Sequence, residues 1–367
     1  MGVSAKVGAR ATAAGAGAAR QPPTMRDVAR VAGVSLGSVS HVLNGRSGVS
    51  PTLAQRVLSA AAALDYRHKE RPRRADGRPL RRVAFVIGDE GAIAARPYYA
   101  AVLGGAGDAC DACGLALTYR PVGAAPGGSD VRRLAAAEAD ALLLVGYLPP
   151  AFVAQVAALG APFVVVSHEP PGVACDRVLF DDAGGGRLVG ERLLELGHRS
   201  LAVVHGPLEH PVVRRRVEGL RTAAGAAGGA RVYTREVPPR GQNPEGGYRA
   251  TLDLLDGAGH EATAIFCTSD RIAFGALRAL RDRGRRVPHD VSVAGFNDHE
   301  AAAHVDPPLT TVRADTQRLG QLAVQRLVER ARDAEGPPVT VTLGVTLVER
   351  ESVAAPRPGT GPLSGSC

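Results

Sequence analysis

The sequence contains few stretches whose residue types and spacing could support enzyme chemistry. Residues 181–190, DDAGGGRLVG, have closely spaced glycines like a dinucleotide-binding loop, but the last glycine comes one residue late for G-x-G-x-x-G. Cys110 and Cys113 form a CxxC motif without the second pair that a zinc site usually has. We therefore expect a protein that is not an enzyme and has no catalytic residue, metal site or cofactor.

Residues 35–44, SLGSVSHVLN, have instead the pattern of a short helix that contacts a partner. Val39, Val42 and Leu43 recur at helical spacing and predict an inward face. The second exposed position is Gly37, which has no side chain with which to make a contact. The stretch therefore predicts a contact helix with an unusual gap in its surface.

The flanking residues predict two further helices. Thr24 and Asp27 resemble a capping box at the start of the first, and Ser50-Pro51 supplies an N-cap and an N1 proline for the last. Gly33-Val34 predicts a tight turn between the first two helices, and Ser35 can cap the second. Three short helices joined in this way predict a small all-α helix-turn-helix head.

Positive charge is concentrated around this head. Residues 24–82 hold 12 Lys or Arg against 4 acidic residues, a net charge of +8, and residues 83–367 carry a net charge of −3. A short basic segment with helical patterning favours an anionic partner such as DNA.

After residue 82, short apolar runs alternate with helical stretches. Runs such as RVAFVIGD, ADALLLVGY and VSVAGFND predict buried strands of parallel sheets with right-handed crossovers. The segment is too long for one sheet, so we expect an α/β body of two Rossmann-like lobes, similar to periplasmic binding proteins. A small molecule would bind in the cleft between them, at the carboxyl ends of the strands.

The expected domain boundaries are a disordered tail (1–22), a helix-turn-helix DNA-binding domain (23–67), a hinge or linker (68–81), a two-lobed effector-binding and dimerisation body (82–353) and a second disordered tail (354–367). Five cysteines without regular disulfide spacing fit a reducing compartment. No apolar run reaches the roughly 20 residues that span a bilayer. We expect a cytoplasmic protein.

Residues 24–66, TMRDVARVAGVSLGSVSHVLNGRSGVSPTLAQRVLSAAAALDY, resemble the headpiece of the LacI family of bacterial transcription regulators. The body carries further family-like segments in the same order, among them LLELGHRSLAVVHGP, RRRVEGL, PEGGYRA and PPLTTVRAD. The resemblance implies a repressor that binds a palindromic operator as a homodimer and responds to a small-molecule effector, commonly a sugar. No leucine heptad follows Val353, which favours a dimer over a tetramer.

The resemblance also implies which residues contact DNA. Leu36, Gly37 and His41 occupy base-reading positions, where Leu36 can contact a thymine methyl and His41 can hydrogen-bond a base edge. The remaining positions implied to contact DNA, mainly at phosphates, are Thr24, Met25, Ser35, Ser38, Ser40, Asn44, Ser50, Arg71, Arg73 and Arg74.

The linker departs from the family pattern. Family members have a hinge helix with a leucine that wedges into the minor groove, and this chain has Ala75 at that position and Pro72 inside the helix. An interior proline costs a helix about 3 kcal/mol or more. Two hypotheses follow: the operator is bent less than by relatives, or the hinge begins after Pro72.

In the cleft, the resemblance implies effector contacts at Tyr98, Ser167, Arg216, Gln242 and Asn297. Arg216 offers forked donors to hydroxyls or a carboxylate. Ser167 and Asn297 replace residues that are often acidic in the family, and Gln242 replaces an aromatic one. A non-sugar ligand such as a nucleoside or purine therefore remains an alternative, and a solute-binding protein is a rival that the basic head disfavours.

Overall fold

A computed structural model describes residues 23–43, 49–66, 72–88, 97–123, 126–137, 139–238 and 241–357. The chain divides after Glu70 into two compact units, which we call the head (1–70) and the body (71–367). The predicted tail 1–22, most of the predicted tail 354–367, and the site residues Asn44 and Arg71 lie outside the described residues. Within the described ranges, no helix is long and apolar enough to cross a membrane.

The described part of the head consists of helices α1 (Met25–Ala32), α2 (Leu36–Leu43) and α3 (Pro51–Ala63). Thr24 and Asp27 form the predicted capping box, and the Ser50 hydroxyl accepts a hydrogen bond from the Leu53 N–H at 3.3 Å. Gly33, with φ of 63°, ends α1 and turns the chain towards α2. The small core is built on three fully buried side chains, Val28, Val39 and Val57.

The described residues of the body form two six-stranded sheets, one in each lobe. The first-lobe strands are β1 (Arg82–Gly88), β2 (Ala116–Val122), β3 (Ala141–Val145), β4 (Phe163–Val166), β5 (Asp176–Phe180) and β11 (Thr340–Leu343), in the order β11-β5-β4-β3-β1-β2. The second-lobe strands are β6 (Ser200–His205), β7 (Arg231–Glu236), β8 (Ala264–Cys267), β9 (Ser292–Asn297), β10 (Thr310–Arg313) and β12 (Thr346–Val348), in the order β12-β10-β9-β8-β6-β7. Neighbouring strands pair in parallel, except that β12 is antiparallel to β10.

Helices cover the two sheets, as expected for parallel strands that are apolar on both faces. They are α4 (Pro97–Cys113), α5 (Gly128–Ala136), α6 (Pro150–Ala157), α7 (Asp182–Glu195), α8 (Pro211–Ala227), α9 (Pro244–Asp256), α10 (Asp270–Asp282) and α11 (Thr316–Arg332). The chain passes between the lobes from β5 to α7, from β10 to α11 and from β11 to β12. Each lobe is therefore assembled from separate parts of the sequence.

Three helix pairs pack closely through glycines: α4 with α11, α7 with α8, and α9 with α10. A Cβ on Gly186 of α7 would overlap the carbonyl of Arg216, and a Cβ on Gly219 of α8 would overlap the carbonyl of Ala183. The glycine run of residues 181–190 therefore lies mainly inside a helix, where its small residues allow two backbones to approach. It does not form a phosphate-binding loop.

Part of the predicted linker belongs to the body. Residues 73–79 form a tight antiparallel turn, in which Arg73 pairs with Pro79 and the Arg74 N–H donates to the Arg78 carbonyl at 2.8 Å. The Ala75 N–H donates to the carbonyl of Ala331, near the end of α11, at 2.7 Å. Residues 73–79 thus form a turn and not the hinge that was hypothesised to begin after Pro72.

The body also extends beyond the predicted boundary at Val353. The Ala354 N–H donates to the Ser292 hydroxyl at 3.1 Å, and the Ala354 carbonyl contacts Nε2 of His198 at 2.8 Å. Arg357 pairs with Asp290 at 3.0 Å. Residues 354–357 are thus held against the second lobe.

Candidate functional site

Helix α2 presents the side chains of the predicted contact surface. Leu36 is 44% exposed and His41 is also exposed, whereas Val39, between them in sequence, is completely buried. A Cβ at Gly37 would meet only the Ser35 hydroxyl at 3.7 Å, so packing inside the head does not require a glycine. Helix α2 thus presents to a partner the Leu36 side chain, the backbone of Gly37 and the His41 imidazole.

The predicted phosphate-contacting hydroxyls lie mostly at helix N-termini, where backbone N–H groups favour anions. Ser35 accepts from the Ser38 N–H at 3.0 Å, and Ser50 caps α3. The Thr24 hydroxyl donates to Asp27 at 2.7 Å, and this hydrogen bond is the main reason that the pKa of Asp27 falls to about 2. Because the Thr24 hydroxyl already caps α1, it has fewer hydrogen bonds left to make with a phosphate.

The other predicted DNA contacts are less exposed or lie in the body. Met25 packs against the head core, and Ser40 is half-buried. Arg73 donates to the Gly77 carbonyl at 3.2 Å, and the Arg74 side chain lies 3.6 Å from a carboxylate oxygen of Asp76. The two arginines thus belong to the turn on the body, and their DNA contacts remain predictions.

Residues 33–37, GVSLG, have the G-x-S-x-G spacing of a hydrolase nucleophile. That motif places its serine on a strand-to-helix turn. Here the segment joins α1 to α2, and the Ser35 hydroxyl caps α2. Its geometry is that of a helix cap.

In the body, four of the five predicted effector residues lie at or after the carboxyl ends of strands, or on the helix that follows. Ser167 follows β4, Asn297 ends β9, Arg216 lies on α8, and Gln242 packs over Gly206, which follows β6. The fifth, Tyr98, is in the first turn of α4, and its hydroxyl is hydrogen-bonded to that of Ser167. Burial raises the pKa of Tyr98, which keeps the hydroxyl protonated.

Two of these residues have unusual backbone conformations. Ser167 has φ of 59° and Asn297 has φ of 111°, a region that non-glycine residues rarely adopt. Such conformations cost of order 1–3 kcal/mol each and cluster at ligand sites. The backbone at these two strand ends therefore has the strain that is typical of ligand sites.

Arg216 is 5% exposed, as expected for a residue inside the cleft. Its Nε donates to Asp182 at 2.8 Å, its Nη1 donates to the Thr268 carbonyl at 2.8 Å, and its Cζ lies 3.6 Å from the centre of the Phe296 ring. Burial raises the pKa of Asp182, although Arg216 opposes this shift. The guanidinium charge is therefore largely balanced within the protein.

Asp270 is the first residue of α10 and does not cap it. The N-cap is Ser269, whose hydroxyl accepts from the Ile272 N–H at 3.4 Å. Asp270 is buried and accepts hydrogen bonds from the His299 N–H and the Thr311 hydroxyl. Burial raises its pKa to about 7. These hydrogen bonds connect Asp270 to the segment after β9 and to β10, close to Asn297 at the end of β9.

Sequence reasoning also missed an aromatic group at the cleft. Tyr147 follows β3, His168 follows β4 and His210 precedes α8. The Tyr147 ring contacts the rings of His168 and His210 edge-on, with centroid distances of 5.0 and 4.4 Å. The position of all three residues beside strand or helix ends was the only sequence signal. Because Tyr147 and His210 come from different lobes, this group crosses the cleft.

Neither cysteine of the CxxC motif is in a disulfide, and burial raises the pKa of Cys110 to about 12. In the described ranges, no group of three or more His, Cys, Asp or Glu residues could hold a metal ion.

Two family descriptions match the chain: "Bacterial regulatory proteins, lacI family" over residues 24–68 and "Periplasmic binding protein-like domain" over residues 191–353. The transcriptional regulator CelR of Thermobifida fusca is 33% identical over 345 residues, which cover 91% of this chain and 99% of CelR. The ribose operon repressor of Haemophilus influenzae is 31% identical and covers 90% of this chain and 98% of its own.

Two solved structures are similar to this chain over about nine-tenths of its length. A complex of CelR with cellobiose has a TM-score of 0.67 at 33% identity, covering 90% of this chain and 99% of that one. A lac repressor dimer bound to operator and an anti-inducer has a TM-score of 0.69 at 26% identity, covering 91% of this chain and all of that one.

Proposed function

The chain belongs to the LacI family of bacterial transcription regulators, and from this premise we propose that it is a repressor controlled by a small molecule. It binds a palindromic operator as a homodimer, and its effector lies between the two lobes of the body. Because its target is chromosomal DNA, we place it in the cytoplasm.

The observation that carries the proposal is the exposed face of α2. In a helix-turn-helix the second helix enters the major groove, and here it presents Leu36 and His41 to solvent. The net charge of +8 on residues 24–82 supplies the attraction to phosphates that dominates DNA affinity. Residues such as Ser38 and Ser50, near helix N-termini, suit positioning rather than base reading.

We propose a sugar or sugar derivative as the effector. CelR, which covers nearly the whole chain, has been solved with cellobiose. The left-handed φ values of Ser167 and Asn297, on facing lobes, support a ligand site at the strand ends. A nucleoside or purine remains the second candidate, because Gln242 and Asn297 offer amides that can pair with a base edge.

DNA binding is tested by selecting genomic fragments with the full-length protein and sequencing those retained. We expect the retained fragments to share a palindromic sequence, in which each subunit of the dimer contacts one half-site. Retention without a shared sequence would contradict a sequence-specific repressor. Adding cellobiose, D-ribose, adenosine or hypoxanthine to the bound complex then tests the effector class through the change in operator affinity.

Base reading is tested with His41→Ala, compared with Ser38→Ala on the same helix. We expect His41→Ala to lower discrimination between the operator and a half-site variant by about 1 kcal/mol, because a base contact is lost. Ser38→Ala should weaken both complexes alike. Fluorescence anisotropy with the two DNAs measures this, and equal losses in both variants would mean that α2 positions the head without reading through His41.

A further inference from the structure

Two buried polar atoms at the cleft have no hydrogen-bond partner among the described residues. One is Nε2 of His168, which follows β4 in the first lobe and is 1% exposed. The other is Oδ1 of Asn297, at the end of β9 in the second lobe. Because buried polar groups in proteins are nearly all hydrogen-bonded, such atoms at facing strand ends point to a ligand.

The contacts of His168 decide which kind of group its free nitrogen can bind. Its ring also hydrogen-bonds the backbone of Leu148. Because Nε2 has no partner in the described ranges, we infer that Nδ1 carries the ring proton and donates to that carbonyl. Burial lowers the pKa of His168 to about 4, so the ring is neutral at pH 7. Nε2 is therefore a hydrogen-bond acceptor, and so is Oδ1 of Asn297. Both atoms need a donor.

Neighbouring rings hold His168 in place. Tyr147 lies edge-on to it, with ring planes 65° apart, and also contacts His210 of the second lobe. Tyr147 is 42% exposed, whereas His168 is 1% exposed. The His168 imidazole thus packs against Tyr147 of its own lobe, and Tyr147 in turn contacts His210 of the second lobe.

Two arginines of the described residues that act on this part of the cleft are already paired. Arg215, which interacts electrostatically with His168, forms an ion pair with Glu169. Arg216, which interacts with Tyr98, is bonded to Asp182. A phosphate or carboxylate would have to displace one of these pairs, whereas a neutral hydroxyl group would not.

We propose that His168 is a specificity-determining residue whose Nε2 accepts a hydrogen bond from a hydroxyl group of a neutral, unphosphorylated effector, while Asn297 accepts a second from the opposite lobe. This assignment rests on the proposed function, in which the effector binds between the lobes. It selects neutral polyhydroxylated ligands over their phosphorylated counterparts.

The test uses the full-length protein, its Leu and Gln variants at position 168, and calorimetric titration with two sets of probes. The neutral set is cellobiose, D-ribose and D-glucose, and the anionic set is D-ribose 5-phosphate and D-glucose 6-phosphate. His168→Leu removes the acceptor, and His168→Gln can restore it at similar volume. His198→Leu is the matched control, because His198 is equally buried but contacts Thr263 and Ala354 away from the cleft strand ends.

We expect a neutral probe to bind the unmodified protein more tightly than any anionic probe. His168→Leu should lower that affinity about tenfold or more, as for loss of one hydrogen bond, with His168→Gln recovering most of it. His198→Leu should lower the thermal midpoint without changing the affinity. Thermal unfolding of each variant without probe reports whether the fold is intact.

Equal affinity in His168→Leu and the unmodified protein would overturn the role of His168. Tighter binding of a phosphorylated probe, or no binding of any neutral probe, would overturn the ligand class. Operator binding measured on the same samples separates these failures from failure of the proposed function, because the DNA-binding head does not depend on the cleft assignment.

Discussion

At Gly37 the exposed helix of the head lacks a side chain, although the head has room for one. A Cβ there would meet only one hydroxyl, at 3.7 Å. Glycine inside a helix costs about 0.8–1.0 kcal/mol relative to alanine. Gly37 therefore destabilises the helix without a packing reason. A close approach of the DNA groove to the helix backbone would explain it, since this face is predicted to contact DNA.

The substitution Gly37→Ala tests this explanation. We expect the head to gain roughly 0.5–1 kcal/mol of stability, because helix propensity rises without a clash, and operator affinity to fall because the methyl group keeps DNA away. Thermal unfolding and anisotropy titration measure the two effects. A stability gain with unchanged affinity would make Gly37 an indifferent surface position.

Some residues of the cleft could be predicted from the sequence, and others could not. Arg216 could be selected from its motif, and its side chain is buried. Its partner Asp182 could not, because it lies 34 residues earlier and meets Arg216 only through the packing of α7 on α8. His168 gave no signal beyond its place after a strand, since its free nitrogen depends on contacts with other strand ends.

At the scale of elements, several buried strands were predictable from their apolar runs, whereas polar edge strands such as β7 and β11 were not. Runs such as Ala141–Val145 are buried along their whole length, so their composition identified them. Strands β7 and β11 carry charged or exposed residues and lie at or near sheet edges, where one face is solvated. The turn of residues 73–79 was missed because its pairing with α11 is a tertiary contact.

The glycine contacts between α7 and α8 lead to a prediction about a matched pair of substitutions on α8. Gly219→Ala should destabilise the body by about 1–3 kcal/mol, because its Cβ would overlap the Ala183 carbonyl. Gly225→Ala on the same helix has open space and should be neutral or stabilising by a few tenths of a kcal/mol.

Urea unfolding of both variants distinguishes a packing requirement from a general effect of helix propensity. Destabilisation by Gly219→Ala alone supports the requirement for close backbone approach. Similar midpoints for the two variants would show that α7 and α8 can separate without cost.

At the scale of the whole molecule, charge is divided between the basic region of residues 24–82 and a nearly neutral remainder. Raising KCl from 50 to 200 mM should therefore weaken operator binding about 10³-fold or more, if six or more phosphates are neutralised. Binding of a neutral effector should change little over the same range. Anisotropy and calorimetry test the two expectations, and a flat salt dependence of operator binding would contradict the assigned DNA surface.

The three passages of the chain between the lobes also constrain the order in which a newly made molecule can fold. The head needs only residues up to the end of α3 at Ala63, so it can form early in translation. The first lobe needs α11 and β11, which end at Arg332 and Leu343. A nascent chain therefore carries a finished DNA-binding head long before either lobe is complete, and an mRNA truncated within the body would yield a head freed from effector control.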